Sequence, residues 1–199
     1  MAMSDIRKAL GDWRKNDLAW VYLPEPLPLS WDIDVAFKEG RPARTASRFR
    51  MHRLVAAQTQ AWLTELHQQG LWHTLKDFGG AYYPRRIRGG LAWSAHSWSY
   101  AVDFNTRKFP LGSKDHQDPT LLTAAARWGF LNGERFSRPD PMHFEVERFV
   151  VPVYDSAGRP HPGSFEDGVV SLPIREIANA LGVGVTWDER LRTVHLTTV

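Results

Sequence analysis

The chain has no cysteine, which excludes disulfide bridges and thiolate-bound zinc and leaves histidine and carboxylate side chains to hold any metal. No apolar run is long enough to cross a bilayer, and residues 1–8 lack the apolar core of a secretion signal. The sequence therefore reads as a protein made in the cytoplasm, with no membrane insertion, that would reach an extracellular target only after release. No recognised DNA- or RNA-binding module is present, so nucleic acid is not an expected partner. Aromatic residues, by contrast, are plentiful. Nine Trp and ten Phe within a hydrophobic content of 43% supply an ample core for 199 residues, enough for one domain of ordinary size and a small second one.

Charge is unevenly placed. Residues 149–199 carry four arginines against six acids, so the net +3 of the chain divides into −2 there and +5 on residues 1–148. A basic first part suits an anionic cell-wall polymer through non-specific attraction; an ordinary solvated basic surface accounts for it equally well.

Two stretches carry chemistry. In residues 94–105, His96 and Asp103 flank an alternating run in which Tyr100, Val102 and Phe104 face one way and Ala101, Asp103 and Asn105 the other. This predicts a strand with an apolar core face and a ligand face. In residues 138–145, His143 follows Asp140 by three positions, and Asp140 sits between Pro139 and Pro141, which favour extended backbone. A catalytic zinc takes three protein ligands and keeps a position for water. His96, Asp103 and His143 fill that set, and a base that is not a ligand must then carry the water's proton. Asp140 is the candidate. Glu145 shares a strand face with His143 and is either a rival base or a partner behind the imidazole that orients it.

With Ser94, His96, Ala101 and Asp103 followed by Asp140 and His143, the pair of motifs resembles the M15 zinc peptidases. These are the D-Ala-D-Ala carboxypeptidases and L-alanyl-D-glutamate endopeptidases of peptidoglycan. An Asp as base is similar to the phage-endolysin branch, and the resemblance covers roughly residues 25–148. It implies Zn2+ as cofactor, a peptidoglycan stem peptide as substrate and action on the wall after release, as a phage or prophage lysis enzyme. It also implies substrate binding at Ser94. Two departures stand out: Ser99 occupies a family glycine position, and Asn132-Gly133-Glu134 replaces an aromatic-Gly-Gly.

Residues 78–90 have glycine pairs at both ends and read as a loop or hairpin that delivers arginines to the site. A guanidinium there would bind a substrate carboxylate or the developing oxyanion. Arg85 and Arg88 are both candidates, and the sequence does not choose between them.

The remaining pattern predicts a helix over residues 4–15, an extended proline-rich connector over 24–29, and helices over 50–69 and 120–128 that end at Gly70 and Gly129. A strand through Phe130 and the second motif would complete an α+β fold, a small antiparallel sheet with helices packed against it. A change of texture after Phe149 marks a boundary between a catalytic domain, residues 1–148, with residues 1–24 an N-terminal extension, and a small module, residues 149–199. In that module, strands are expected at 150–154 and 169–172, a helix at 173–182 and a closing hairpin near 185–196. It resembles the copper-amine-oxidase N-terminal-like module but has no clustered ligands, so no copper is assigned. It either binds wall or a partner, or extends the packing of the first domain. The expected activity is that of an L-alanyl-D-glutamate endopeptidase; the rivals are a D-Ala-D-Ala carboxypeptidase and a non-catalytic zinc-stabilised wall-binding protein.

Overall fold

The computed structural model describes residues 3–155, 157–166, 169–171, 178, 183–188 and 193–198. Two compact units divide the chain, Met1–Phe149 and Val150–Val199. Among the described residues no helix is long and apolar enough to cross a membrane.

The first unit opens with α1 (Met3–Leu10), which stops at Gly11, where φ is 74°. The helix expected over residues 4–15 is therefore too long. Trp13–Lys15 form a separate 3-10 turn, capped by Asp12, whose side chain accepts from the Arg14 N–H. β1 (Leu18–Pro28) pairs antiparallel with β2 (Thr45–His52), and the register breaks between Tyr22 and Leu27, across the stretch that holds Pro24 and Pro26. Proline cannot donate to a ladder, so the irregularity falls where the donors are missing. α2 (Ser30–Lys38) lies between these strands in sequence.

α3 (Arg53–Gln68) is shorter at its start than the expected helix over 50–69, because Arg50, Met51 and His52 belong to β2. His52 caps α3 through Nδ1, which accepts from the Leu54 N–H.

The central sheet has the order β3-β4-β6-β5 and is antiparallel throughout: β3 (Phe78–Gly80), β4 (Ala101–Phe104), β5 (Phe130–Gly133) and β6 (Asp140–Val146). α4 (Pro119–Arg127), capped by Asp118, precedes β5. The core face of the sheet carries Phe104 and Phe144, both fully buried, and Trp62 of α3 covers them with ring centroids at 6.0 and 5.3 Å. This is the α+β architecture the sequence implies. The opposite face is free for chemistry. There Asp103 pairs directly with His143, and Ala101 with Glu145.

Ser99 adopts φ 56°, the left-handed region that its replacement of a glycine had put in question. Its hydroxyl donates to the Arg50 carbonyl at 2.8 Å, and its own carbonyl accepts from the His52 N–H. The side chain thus offsets part of the backbone cost by tying the loop that follows His96 to β2. Ser99→Gly relieves strain of about 1–2 kcal/mol and loses a hydrogen bond of about 1 kcal/mol, leaving stability nearly unchanged, whereas Ser99→Ala keeps the strain and costs about 1 kcal/mol. Urea denaturation of the two variants distinguishes them; equal stabilities would remove the strain from the account.

In the second unit, β7 (Val151–Tyr154), β8 (Pro160–Glu166) and β9 (Val169–Ser171) form an antiparallel meander, and β10 (Val183–Asp188) pairs with β11 (Thr193–Thr198). β8 was not expected from the sequence. The helix expected at 173–182 lies outside the described residues apart from Ala178, which is helical.

Candidate metal centre

Ser94 is the N-cap of a 3-10 turn, Ala95–Ser97, and its Oγ accepts from the His96 N–H. The turn lifts His96 towards the sheet, while Asp103 and His143 reach it as a directly opposed pair from β4 and β6. His96, Asp103 and His143 are all buried. His96 Nε2 lies 3.2 Å from Asp103 Oδ1 and 3.1 Å from His143 Nδ1, and the latter two atoms are 3.1 Å apart.

The protons on the two rings are set from behind. His96 Nδ1 lies 2.6 Å from the Ala81 carbonyl, and His143 Nε2 lies 3.0 Å from Glu145 Oε2. A carbonyl and a carboxylate only accept, so each of these nitrogens carries the hydrogen. The nitrogens facing Asp103 are then lone pairs, and three acceptors converge with no hydrogen between them. A positive charge, a metal ion or a proton, stabilises such an arrangement.

Ligand atoms about 2.0–2.2 Å from a tetrahedral ion stand about 3.3–3.6 Å apart, so the cluster needs to open only slightly. Without an ion the site takes a proton. Burial opposes charge on His143, but the carboxylates of Asp103 and Glu145 outweigh it and push the imidazole up to about 10. Burial likewise raises Asp103, and His96 and His143 overcome it, holding the carboxyl well below the usual range. The donor set fits a divalent metal.

Glu145 thus stands behind His143 through Oε2, and it also lines the cavity that His143 lines, with Oε1 buried and unpartnered among the described residues. Glu145→Gln keeps the shape and weakens the hold on the imidazole; zinc affinity is expected to fall about 10–100-fold. Competition against a chromophoric chelator reads this directly, and an unchanged affinity would remove Glu145 from the support of the site.

Asp140 opens β6 on the wall of a cavity of about 390 Å3 that His143 also lines. Burial raises its carboxyl above the ordinary range, against the pull of His143 and Arg85, and Oδ1 is buried with no hydrogen-bond partner among the described residues. An acceptor left open on a cavity wall is available to a ligand or water.

The backbone around it is tightly held. Asn132 Nδ2 donates to the carbonyls of Pro141 and His143, and a side chain at Gly133 would put its Cβ 2.3 Å from the Asp140 carbonyl oxygen. This answers the departure at Asn132-Gly133-Glu134: the glycine permits the close approach, and the asparagine fixes the strand that carries both Asp140 and His143.

The two candidate arginines are held differently. Arg85 is tied at both backbone groups to the turn that carries His96: its N–H donates to Ser97 Oγ, and its carbonyl accepts from the Ser94 N–H. Its charge acts on Asp140. Arg88 lines the same cavity from the next bend, with no such tie. Ser94 also lines the cavity, although its hydroxyl is engaged with the turn.

Sequence reasoning missed three contributors. Arg7 of α1 lines the cavity. Gly79 has no room for a side chain, since a Cβ there would stand 2.9 Å from that of Asp103. Ala81 supplies the carbonyl behind His96. The glycine pair at 79–80 was a visible signal read only as a loop end; the other two left none.

A buried His-Asp-His cluster beside an open carboxylate, on the free face of an antiparallel sheet, defines a site suited to metal-assisted hydrolysis. Residues 88–146 match the model of the peptidase family Peptidase_M15_4, described as D-alanyl-D-alanine carboxypeptidase. The matched stretch contains every candidate site residue except Arg85. It supports a peptidase of the M15 type that acts on peptidoglycan. No curated protein and no solved structure matches the chain.

Proposed function

We propose that the protein is a zinc-dependent peptidoglycan endopeptidase that cleaves the L-alanyl-D-glutamate bond of the stem peptide. The observation that carries this is the convergence of three acceptor atoms on one point, with the unpartnered oxygen of Asp140 on the adjoining cavity wall. His96, Asp103 and His143 would hold the ion. Zinc bound there would supply a Lewis acid that polarises the scissile carbonyl and makes water easier to deprotonate.

Asp140 takes the proton of the attacking water and passes it to the departing amine. Its raised pKa suits it to that exchange, because a base nearer to neutrality both accepts and returns a proton readily. Arg85, pinned to the His96 turn, donates to the oxyanion as it develops. Glu145 holds the His143 ring with Nδ1 towards Asp103 and His96, the orientation in which it would help to hold the ion.

A carboxypeptidase that removes the terminal D-alanine is the second reading, favoured by the description of the matched family. The resemblance to the endolysin branch favours the endopeptidase, together with action after release from the cytoplasm as a lysis enzyme. Residues 150–199 would serve as a wall- or partner-binding module. Mass spectrometry of purified peptidoglycan digested by the zinc-loaded protein, with a chelated control, tests these readings. New N-terminal D-glutamate establishes the endopeptidase, and loss of D-alanine alone moves the assignment to the carboxypeptidase. No metal-dependent fragment leaves only a zinc-stabilised binding protein.

A further inference from the structure

Four arginines line the cavity, Arg7, Arg85, Arg88 and Arg138, together with two acids, Asp140 and Glu145. Arg7 stands apart in origin. It belongs to α1, outside the stretch that matches the peptidase family, and reaches the site from 93 residues before Tyr100. Ile6 and Leu10, one helical turn apart, are buried and anchor α1. The segment after the helix is anchored too: Trp98 Nε1 donates to the Gly11 carbonyl at 2.8 Å, and Asn16 Nδ2 donates to the Ser97 carbonyl at 2.7 Å. The N-terminal segment is therefore fastened to the loop that carries His96.

Within this frame Arg7 is oriented but not consumed. Its Nε donates to the Tyr100 hydroxyl at 2.9 Å, and its guanidinium carbon lies 4.9 Å from the centre of the Trp98 ring. No hydrogen bond engages its two terminal nitrogens among the described residues. A planar cation held by one edge and one face, with its terminal donors unengaged in a residue that lines the cavity, is preorganised for a carboxylate. Stacking on Trp98 alone would explain the contact with the ring; it would not call for charge on the cavity wall.

We propose that Arg7 is a specificity residue that binds a free carboxylate of the substrate peptide, so that the cavity favours an acidic peptide over its amidated form. The inference rests on the peptidase reading for the nature of the ligand, and its test is binding rather than turnover.

The probes are the tripeptide L-alanyl-γ-D-glutamyl-L-lysine and its twin with the glutamate α-carboxylate converted to a primary amide. Each is titrated calorimetrically into full-length, zinc-loaded Asp140→Asn protein, with and without a second change, Arg7→Met or Arg7→Lys. With Arg7 present, the carboxylate form is expected to bind about tenfold or more tightly than the amide. Arg7→Met collapses that ratio to near one by weakening the carboxylate form alone, and Arg7→Lys restores part of it. Because the ratio is taken within each variant, a general loosening of α1 lowers both affinities and leaves it unchanged. A ratio that survives in Arg7→Met, no preference with Arg7 present, or no binding of either peptide overturns the assignment. Failure of the peptidase reading would show separately, as an undigested wall in the presence of zinc.

Discussion

Asp140→Asn is expected to lower kcat on peptidoglycan by about two to four orders of magnitude while the protein retains one zinc per chain. The expectation follows from where the carboxylate stands. Asp140 is not one of the three converging ligands, so its loss should not empty the site, and its buried Oδ1 has no partner to strand. Asparagine preserves the volume beside the close backbone approach of Gly133 and removes only the capacity to take a proton. Initial rates with metal analysis of the same preparation decide it. Loss of zinc with rate would make Asp140 a support of the metal site, and an unchanged rate would end its role as base.

His96→Ala is expected to abolish both zinc retention and hydrolysis. It removes one of three acceptors and leaves Asp103 and His143 as a proton-sharing pair, which no longer calls for a divalent ion. The cost in affinity should exceed the roughly 10–100-fold that loss of a supporting partner brings. Binding should also appear as stability. Zinc at about a thousand times its Kd stabilises the parental protein by about 4 kcal/mol, raising its Tm, and should leave His96→Ala unmoved. A variant whose melting still responds to zinc at those concentrations would place the ion elsewhere.

The two halves of the cluster were legible in the sequence because the pattern of each is local. Alternation along residues 100–105 put Asp103 opposite the core-facing Val102 and Phe104, and the prolines around Asp140 marked an extended segment. The supports were not legible, because each is a contact between distant segments. Nothing in the neighbourhood of Ala81 says that its carbonyl will meet His96, 15 residues on, and Asn132 shows its purpose only once β5 lies beside β6.

Arg7 was invisible for the same reason. A short helix with weak periodicity gives no sign of the wall it will form. The two boundary errors have simpler causes. Gly11 ended a helix that was expected to run on to Lys15, and Arg50, Met51 and His52 of β2 were absorbed into the helix that follows. Arg85 and Arg88 were equivalent as letters; only the backbone ties to Ser94 and Ser97 set them apart.

The direct opposition of Asp103 and His143 across β4 and β6 joins residues 40 apart in the chain. Side chains alternate from face to face, so a slip of one residue in that pairing would turn one of the two ligands into the aromatic core. The candidate metal seat is therefore incomplete until both strands have docked in register. A copy mispaired by one residue would lack the three-acceptor cluster altogether, however well the rest of it had folded.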